Sequence, residues 1–255
     1  MRLKLSRLIL PSVKDPYLNQ ALEEVLLNSV TRKQFNFILR FWRSKPCVII
    51  GRNQSLKAEA NVEFCKSHHI PIIRRITGGG AVYLDLGCLN FSIILSDKCT
   101  YFTPKVQILN EILIQVIIDA LKSLHFNCIY KPPNSIFIGG KKISGSAQIF
   151  KRNSVLHHGT LLIKSDLNTL KISLKNDNKN KIVKYVQSNR TDQINLSSIQ
   201  TNITAERIIQ TMIKHIQNSF NVKLYNQIIT NEEFNEACVL MKKRYLNINW
   251  QERIP

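Results

Sequence analysis

Apolar positions along the chain alternate between two periods. From Leu18 onward, Leu18, Ala21, Leu22, Val25 and Leu26 recur at helical spacing, and Asp15 and Pro16 supply an N-cap and a first-turn proline. "FNFILRFW" and "CVIIGRN" read as strands, the second running into a turn at Gly51, and "EANVEFCKSHH" reads as a helix. "IPIIRRI", "AVYLDL" and "CLNFSIIL" read as strands around a glycine loop, followed by a long apolar helix over Val106–Leu124. Gln, Asn, Glu and Asp interrupt that helix, so the pattern predicts a buried helix rather than a membrane span. Pro132 and Pro133 keep "NCIYKPPNSIFI" extended. "GGKKISGSAQIF" and "VLHHGTLLIKS" read as a turn with paired strands, and Ile208, Ile209, Met212, Ile213 and Ile216 form a helical stripe behind Thr204 as N-cap. The start alternates apolar and basic residues and has no acid before Asp15. A lead-in to a strand fits it better than a short organelle-targeting segment.

Hairpin-joined strands with separate helices predict an α+β fold: a mixed, largely antiparallel sheet flanked by helices. Residues 1–255 read as a single domain, with a solvated loop or sub-boundary near 175–185, at the polar "KNDNKNKIVK". Apolar residues are 44% of the 255, enough for a substantial core.

The formal charge is +19. It points either to an acidic partner or to the Lys, Asn and Ile bias of an AT-rich genome. The six cysteines fit neither a zinc site nor a disulfide framework, and no secretory segment is visible, so the expected setting is a reducing one, the cytoplasm or an organelle such as the mitochondrion.

Three stretches carry candidate chemistry. Arg74 and Arg75 precede Gly78, Gly79 and Gly80. The loop is either a hairpin turn with surface arginines or an anion cradle of backbone N–H groups and guanidinium forks. It is neither a Walker loop nor a dinucleotide fingerprint. Lys141 and Lys142 sit in a glycine-bounded turn before Ser144, Gly145 and Ser146. They are either two solvated lysines or, across a strand, one solvent lysine and one that faces a cleft and stabilises negative charge. His157 and His158 are adjacent on a strand, so they point to opposite faces and do not share one metal; no metal site is read from the protein's own residues. His68 and His69 read as surface residues at a helix end.

In this order, "RRITGGGAVYLDLGC", "GKKISGSAQ" and "HHGTLLI" resemble the signatures of the lipoate–protein ligase family, within the biotin/lipoate protein ligase-like superfamily. "DPYLNQALEEVLL", "VIIGRNQSLKAEAN" and "SNRTDQINL" are weaker echoes, and the resemblance runs from Asp15 to Leu196. It implies a catalytic domain of the biotin/lipoate ligase-like fold that converts lipoate (or octanoate) and ATP with Mg2+ to acyl-AMP. The acyl group then passes to a lysine of an acceptor domain. It implies Lys142 as the catalytic lysine, and Arg75, Thr77, Gly78, Gly79, Gly80, Asn134 and Lys142 around the adenylate. Arg75, Val82, Leu84, Cys88, His158 and Gly159 would lie around the acyl group. Leu84 and Cys88 depart from the family's histidine and asparagine, and Ser135 from its acid, which implies altered adenylation or ligand preference. Fewer residues follow Phe220 than in the longer members, which implies a bipartite form with a separate accessory polypeptide. The implied acceptors are acidic lipoyl domains, such as 2-oxoacid dehydrogenase E2 subunits and the glycine cleavage H protein. Two rivals remain: an ATP-independent octanoyl or lipoyl transferase with Cys128 as nucleophile, and a basic nucleic-acid-binding protein, for which no motif speaks. Biotin ligation lacks its Gly-Arg-Gly-Arg loop.

Overall fold

Asp15 accepts from the backbone N–H of Leu18 and starts helix α1 (Pro16–Thr31), as the Asp-Pro pair predicts. The computed structural model describes residues 6–99, 102–175 and 185–254. The predicted sub-boundary at 175–185 falls almost wholly outside them.

Before α1 runs strand β1 (Ser6–Ile9), and after it come β2 (Phe37–Trp42) and β3 (Cys47–Ile50). The single helix expected over "EANVEFCKSHH" is two, α2 (Leu56–Glu59) and α3 (Val62–Ser67). Ala60 is extended and bridges Leu174, and Asn61 then caps a new helix by accepting from Phe64 N. Strands β4 (Ile72–Arg74), β5 (Val82–Leu84) and β6 (Cys88–Ser96) bracket the glycine loop, and α4 (Val106–Lys122) follows. A hairpin, β7 (Ile129–Lys131) and β8 (Ser135–Ile138), turns through Gly139 and Gly140 into β9 (Lys141–Lys151). Both glycines have positive φ (55° and 77°), which side-chain-bearing residues rarely adopt. Then come β10 (Ser154–Leu162), α5 (Leu167–Ser173) and α6 (Ala205–Phe220), the last capped by Thr204 as expected.

The C-terminal residues, unread in the sequence, form β11 (Leu224–Asn226), α7 (Asn231–Leu240), a π-helical turn at Met241–Tyr245 and α8 (Ile248–Gln251). β11 pairs in parallel with β1, and Arg7 binds Glu233 in a largely buried pair, so this segment is built into the domain.

The large sheet has the order β11-β1-β2-β6-β10-β9-β8-β7. β1 runs parallel to both neighbours and every other pairing is antiparallel, which bears out the mixed, largely antiparallel expectation. A small sheet, β4-β3-β5, stands apart. Period-two alternation divides the core. Leu89, Phe91, Ile93 and Leu95 of β6 face α4 and α6. Ile94 faces the other side, toward α1 and the small sheet. Asn90 and Ser92 share that second face, where polar residues stand in place of an unbroken core. Among the described residues no helix is long and apolar enough to cross a membrane.

Candidate active site

Arg74 ends β4 and Arg75 follows it directly; their side chains part to opposite sides, and only Arg75 reaches the cavity. Arg74 is fully buried and donates to the carbonyls of Gly51 (3.1 Å), Gln54, Trp250 (3.0 Å) and Gln251. It joins the Gly51 loop to α8 and offers nothing to a ligand, which corrects the expectation that both arginines supply donors. Arg75 lines the cavity, but its guanidinium also holds the loop: Nε donates to Thr77 Oγ1 (2.8 Å), and Nη2 donates to the carbonyls of Gly78 and Gly80. The loop therefore wraps a cation. Its tightest point is backbone against backbone: a Cβ on Gly51 would lie 2.1 Å from the carbonyl oxygen of Gly79.

Behind the loop lies a buried relay. Thr77 Oγ1 is 2.8 Å from His158 Nε2, and His158 Nδ1 is 2.9 Å from Glu23 Oε2. Glu23 also accepts from Ser92 Oγ (2.6 Å), which accepts from Trp42 Nε1. Arginine can only donate and an ionised carboxylate can only accept. So Thr77 accepts from Arg75, and because Glu23 can only accept, Nδ1 carries a proton that points at it; in the neutral ring Nε2 then accepts from Thr77. Burial works against the Glu23 charge, but His158 and Ser92 outweigh it and hold its pKa below the ordinary value. Glu23 and Glu24 went unnoticed in the sequence. The available signal was two adjacent acids between the apolar runs of α1: Glu24 accepts from Tyr245 Oη (2.9 Å) and pairs with Arg244. His157 faces the other way, as expected of neighbours on a strand. It stacks on Phe91 and is fully buried, which pushes its pKa down to about 3 and keeps it neutral. His68 and His69 are exposed.

The two lysines also divide. Lys141 is exposed, while Lys142 lines the cavity. The backbone of Lys142 is clamped: its N–H donates to Asp192 O (2.8 Å), and its carbonyl accepts from Ile194 N (3.1 Å). Its ammonium lies over Gly145, where a Cβ would be only 3.0 Å from Nζ. No acceptor among the described residues takes its protons. Burial, then Arg190 and Arg75, lower its pKa to about 8.

Around Lys142 the cavity measures about 970 Å³ including its mouth. Asn134 lines the same cavity and donates to Ser146 O (2.6 Å). Val82, Leu84, Leu162, Leu170 and Leu174 give an apolar wall, and Gly80, His158 and Gly159 also line the space. A Cβ on Gly159 would lie 2.4 Å from the Phe91 ring. Thr77, Gly78, Gly79 and Cys88 are not among the lining residues. Cys88 is fully buried behind the wall, with its thiol pushed up to about 12 by burial, and Ser135 does not line the space either, so of the three departures only Leu84 meets the cavity. Ser188 and Arg190 close one side. Glu59, itself buried, accepts from Ser188 N (3.0 Å) and Arg190 Nη2 (3.0 Å). The echoes "VIIGRNQSLKAEAN", which holds Glu59, and "SNRTDQINL", which holds Ser188 and Arg190, were the sequence signs of this clamp.

Cys128 is buried in the α4-side core, directs its thiol at Ile118 O (3.8 Å), and lies outside the cavity. Burial raises its pKa, the reverse of an activated nucleophile. Cys128→Ser is expected to keep transfer activity within about threefold, since a serine fits the same bond; loss of all transfer would restore the cysteine route.

A family profile described as "Lipoyl protein ligase A/B catalytic domain" matches residues 15–217. The chain belongs to that family. This ligase is 32% identical to lipoate–protein ligase 1 of Staphylococcus aureus over 94% of its length and 70% of the relative's. It is 33% identical to lipoate-protein ligase A of Bdellovibrio bacteriovorus, over 93% and 68%. Among solved structures, the ligase superposes on the bipartite lipoate protein ligase of Thermoplasma acidophilum, described together with its E2 lipoyl domain (TM-score 0.83, 27% identity, 98% of this chain and 96% of the other). It also superposes on a lipoate-protein ligase A bound with ATP (TM-score 0.83, 25% identity, 97% and 98%). A putative lipoate protein ligase from T. acidophilum is described with bound lipoic acid (TM-score 0.81, 25% identity, 97% and 99%). The ligase is thus an enzyme of the lipoate–protein ligase kind, and neither rival reading is favoured.

Proposed function

We propose that this ligase activates lipoate, or octanoate, with ATP and passes the acyl group to a lysine of a lipoyl domain. The observation that carries this reading is one cation, Lys142, without an acceptor among the described residues, at the glycine-floored end of a cavity with an apolar wall. In the first step a carboxylate oxygen attacks the α-phosphorus and the bond to pyrophosphate breaks. In the second, the ε-amine of the acceptor attacks the acyl carbonyl, the bond to AMP breaks, and the amine loses a proton. Both steps gather negative charge that a fixed cation stabilises. Val82 and Leu84 flank the acyl chain, while Arg75 with Thr77, Gly78, Gly79 and Gly80 shapes the adenylate side; Asn134 and Lys142 bound it opposite. His158, fixed by Glu23 and Thr77, keeps the loop against the sheet. No group of three His, Cys, Asp or Glu among the described residues is placed to hold a metal ion. Mg2+, which keeps several waters and prefers phosphate oxygens, would be held by the nucleotide's phosphates as part of that substrate and would neutralise their charge.

We assign residues 1–255 to one catalytic domain, because β11 ties the C-terminal segment to the sheet. A separate accessory polypeptide assists activation but not transfer. The purified chain, assayed separately for ATP-dependent adenylation and for transfer from preformed lipoyl-AMP, tests this: full lipoylation with ATP and no partner contradicts it. The charge of +19 matches an acidic acceptor, an E2 lipoyl domain or the H protein. The transfer rate at low acceptor concentration is expected to fall about tenfold or more from low to high ionic strength. A flat dependence, measured as kcat/KM against salt, would remove electrostatic steering from the account.

A further inference from the structure

The face of the sheet beneath the cavity is not uniformly apolar. Asn90 on β6 is 1% exposed, lines the cavity, and has no partner for Oδ1 among the described residues. Its Nδ2 donates to Trp42 O (3.3 Å). A carbonyl accepts only from the amide nitrogen, so this bond fixes the amide and leaves its oxygen for an occupant of the cavity. Gln20 on α1 is 3% exposed, lines the same cavity, and its side chain makes no hydrogen bond among the described residues.

The sheet register places these groups relative to Lys142. Gly145, Thr160, Asn90 and Trp42 form one row across β9, β10, β6 and β2, and all four line the cavity. Neighbouring strands lie about 4.8 Å apart, so Asn90 is roughly 10 Å from Gly145, over which the Lys142 ammonium sits. That is the reach of an extended eight-carbon chain. With its carbonyl beside Lys142, such a chain brings its sixth to eighth carbons level with Asn90. A plain hydrocarbon end there leaves Oδ1, already shut off from bulk water, without a partner. A thiol donates to Oδ1, and sulfur accepts from the Gln20 amide.

We propose that Asn90, together with Gln20, determines acyl-tail specificity in this ligase: it selects a tail carrying sulfur at its far end, best as the dithiol, over a saturated octanoyl tail. The proposal rests on the acyl transfer reading above. Leaving one buried acceptor unmatched corresponds to about a tenfold preference.

The test uses the full chain and an isolated lipoyl domain with preformed acyl adenylates, so that adenylation is bypassed. The measured quantity is kcat/KM for transfer from lipoyl-AMP, from the same compound reduced to its dithiol, and from octanoyl-AMP. Wild type is expected to favour the dithiol over octanoyl about tenfold, with the disulfide between them. Asn90→Leu is expected to bring the dithiol-to-octanoyl ratio close to one, and Gln20→Leu to lower it about threefold. A wild type without preference, or a ratio unmoved in folded Asn90→Leu, overturns the proposal. Should Asn90→Leu fail to fold, an unmoved ratio in Gln20→Leu overturns it equally. A wild type that transfers none of the three refutes the acyl transfer reading itself, whereas transfer of all three at equal rates refutes only the specificity assignment.

Discussion

Lys142→Ala is expected to lower kcat for acyl transfer by about 10²–10³-fold, the loss associated with removing one group that stabilises developing negative charge. The same change should barely move the melting temperature. The Lys142 ammonium has no acceptor among the described residues, so its removal strands no buried partner, and its backbone bonds to Asp192 and Ile194 remain. Activity and stability separate here, and that separation distinguishes a catalytic lysine from a structural one. The charge also gives the reaction a pH signature. The pKa of Lys142 is lowered to about 8, first by burial and then by Arg190 and Arg75. A lysine is cationic below its pKa, so in the free enzyme the stabilising charge is present at pH 7 and is lost as pH rises through about 8. The kcat/KM profile should therefore fall on its alkaline side near pH 8, well below the ordinary lysine range, and Lys142→Arg should remove that fall whatever its residual rate. A profile flat to pH 10 would argue against Lys142 as the acting cation.

Arg74→Met produces the opposite pattern: a stability loss of about 3–5 kcal/mol, the range for breaking a buried charged network by removing one partner. The guanidinium of Arg74 donates to several buried carbonyls at once, from the Gly51 loop and from α8. Removing it strips the buried Gln54 and Gln251 oxygens of this donor, while the Gly51 oxygen keeps its bond from Gln54 N. Urea unfolding measures the loss through its midpoint. The residual folded enzyme should retain kcat within a few fold, because Arg75, not Arg74, meets the cavity. Had both arginines been ligand donors, Arg74→Met would spare stability and raise KM instead.

This pair of arginines shows how much of the site the sequence disclosed. Its motifs located the glycine loop, Lys142 and His158, and the elements carrying them folded as their periodicities predict. Consecutive residues on a strand face opposite ways, so the spacing rule already implied that Arg74 and Arg75 could not both reach one cavity. Only the fold decided which one does, since the carbonyls that claim Arg74 come from residues about 20 before it and 176 after it. Glu23 was hidden for the same reason. It is 135 residues from His158 and becomes its partner only when α1 lies across β10. Glu59 is 129 residues from Ser188. Local pattern reports the period of a segment, whereas these bonds depend on the packing of distant segments. The C-terminal helices were missed because the apolar stripe of α7 is short and its burial is shared with α1 rather than declared by a strong period of its own.

The central claim is that the Lys142 cavity joins a lipoyl group to an acceptor lysine through an adenylate. Intact-mass measurement of a lipoyl domain tests it most directly, after incubation with the purified chain, lipoate and ATP-Mg in one series and preformed lipoyl-AMP in another. The account predicts that the domain gains one lipoyl group in the lipoyl-AMP series, without added ATP, and that the gain disappears with Lys142→Ala. A lipoyl domain left unmodified by wild type in both series, or modified equally by Lys142→Ala, would contradict it.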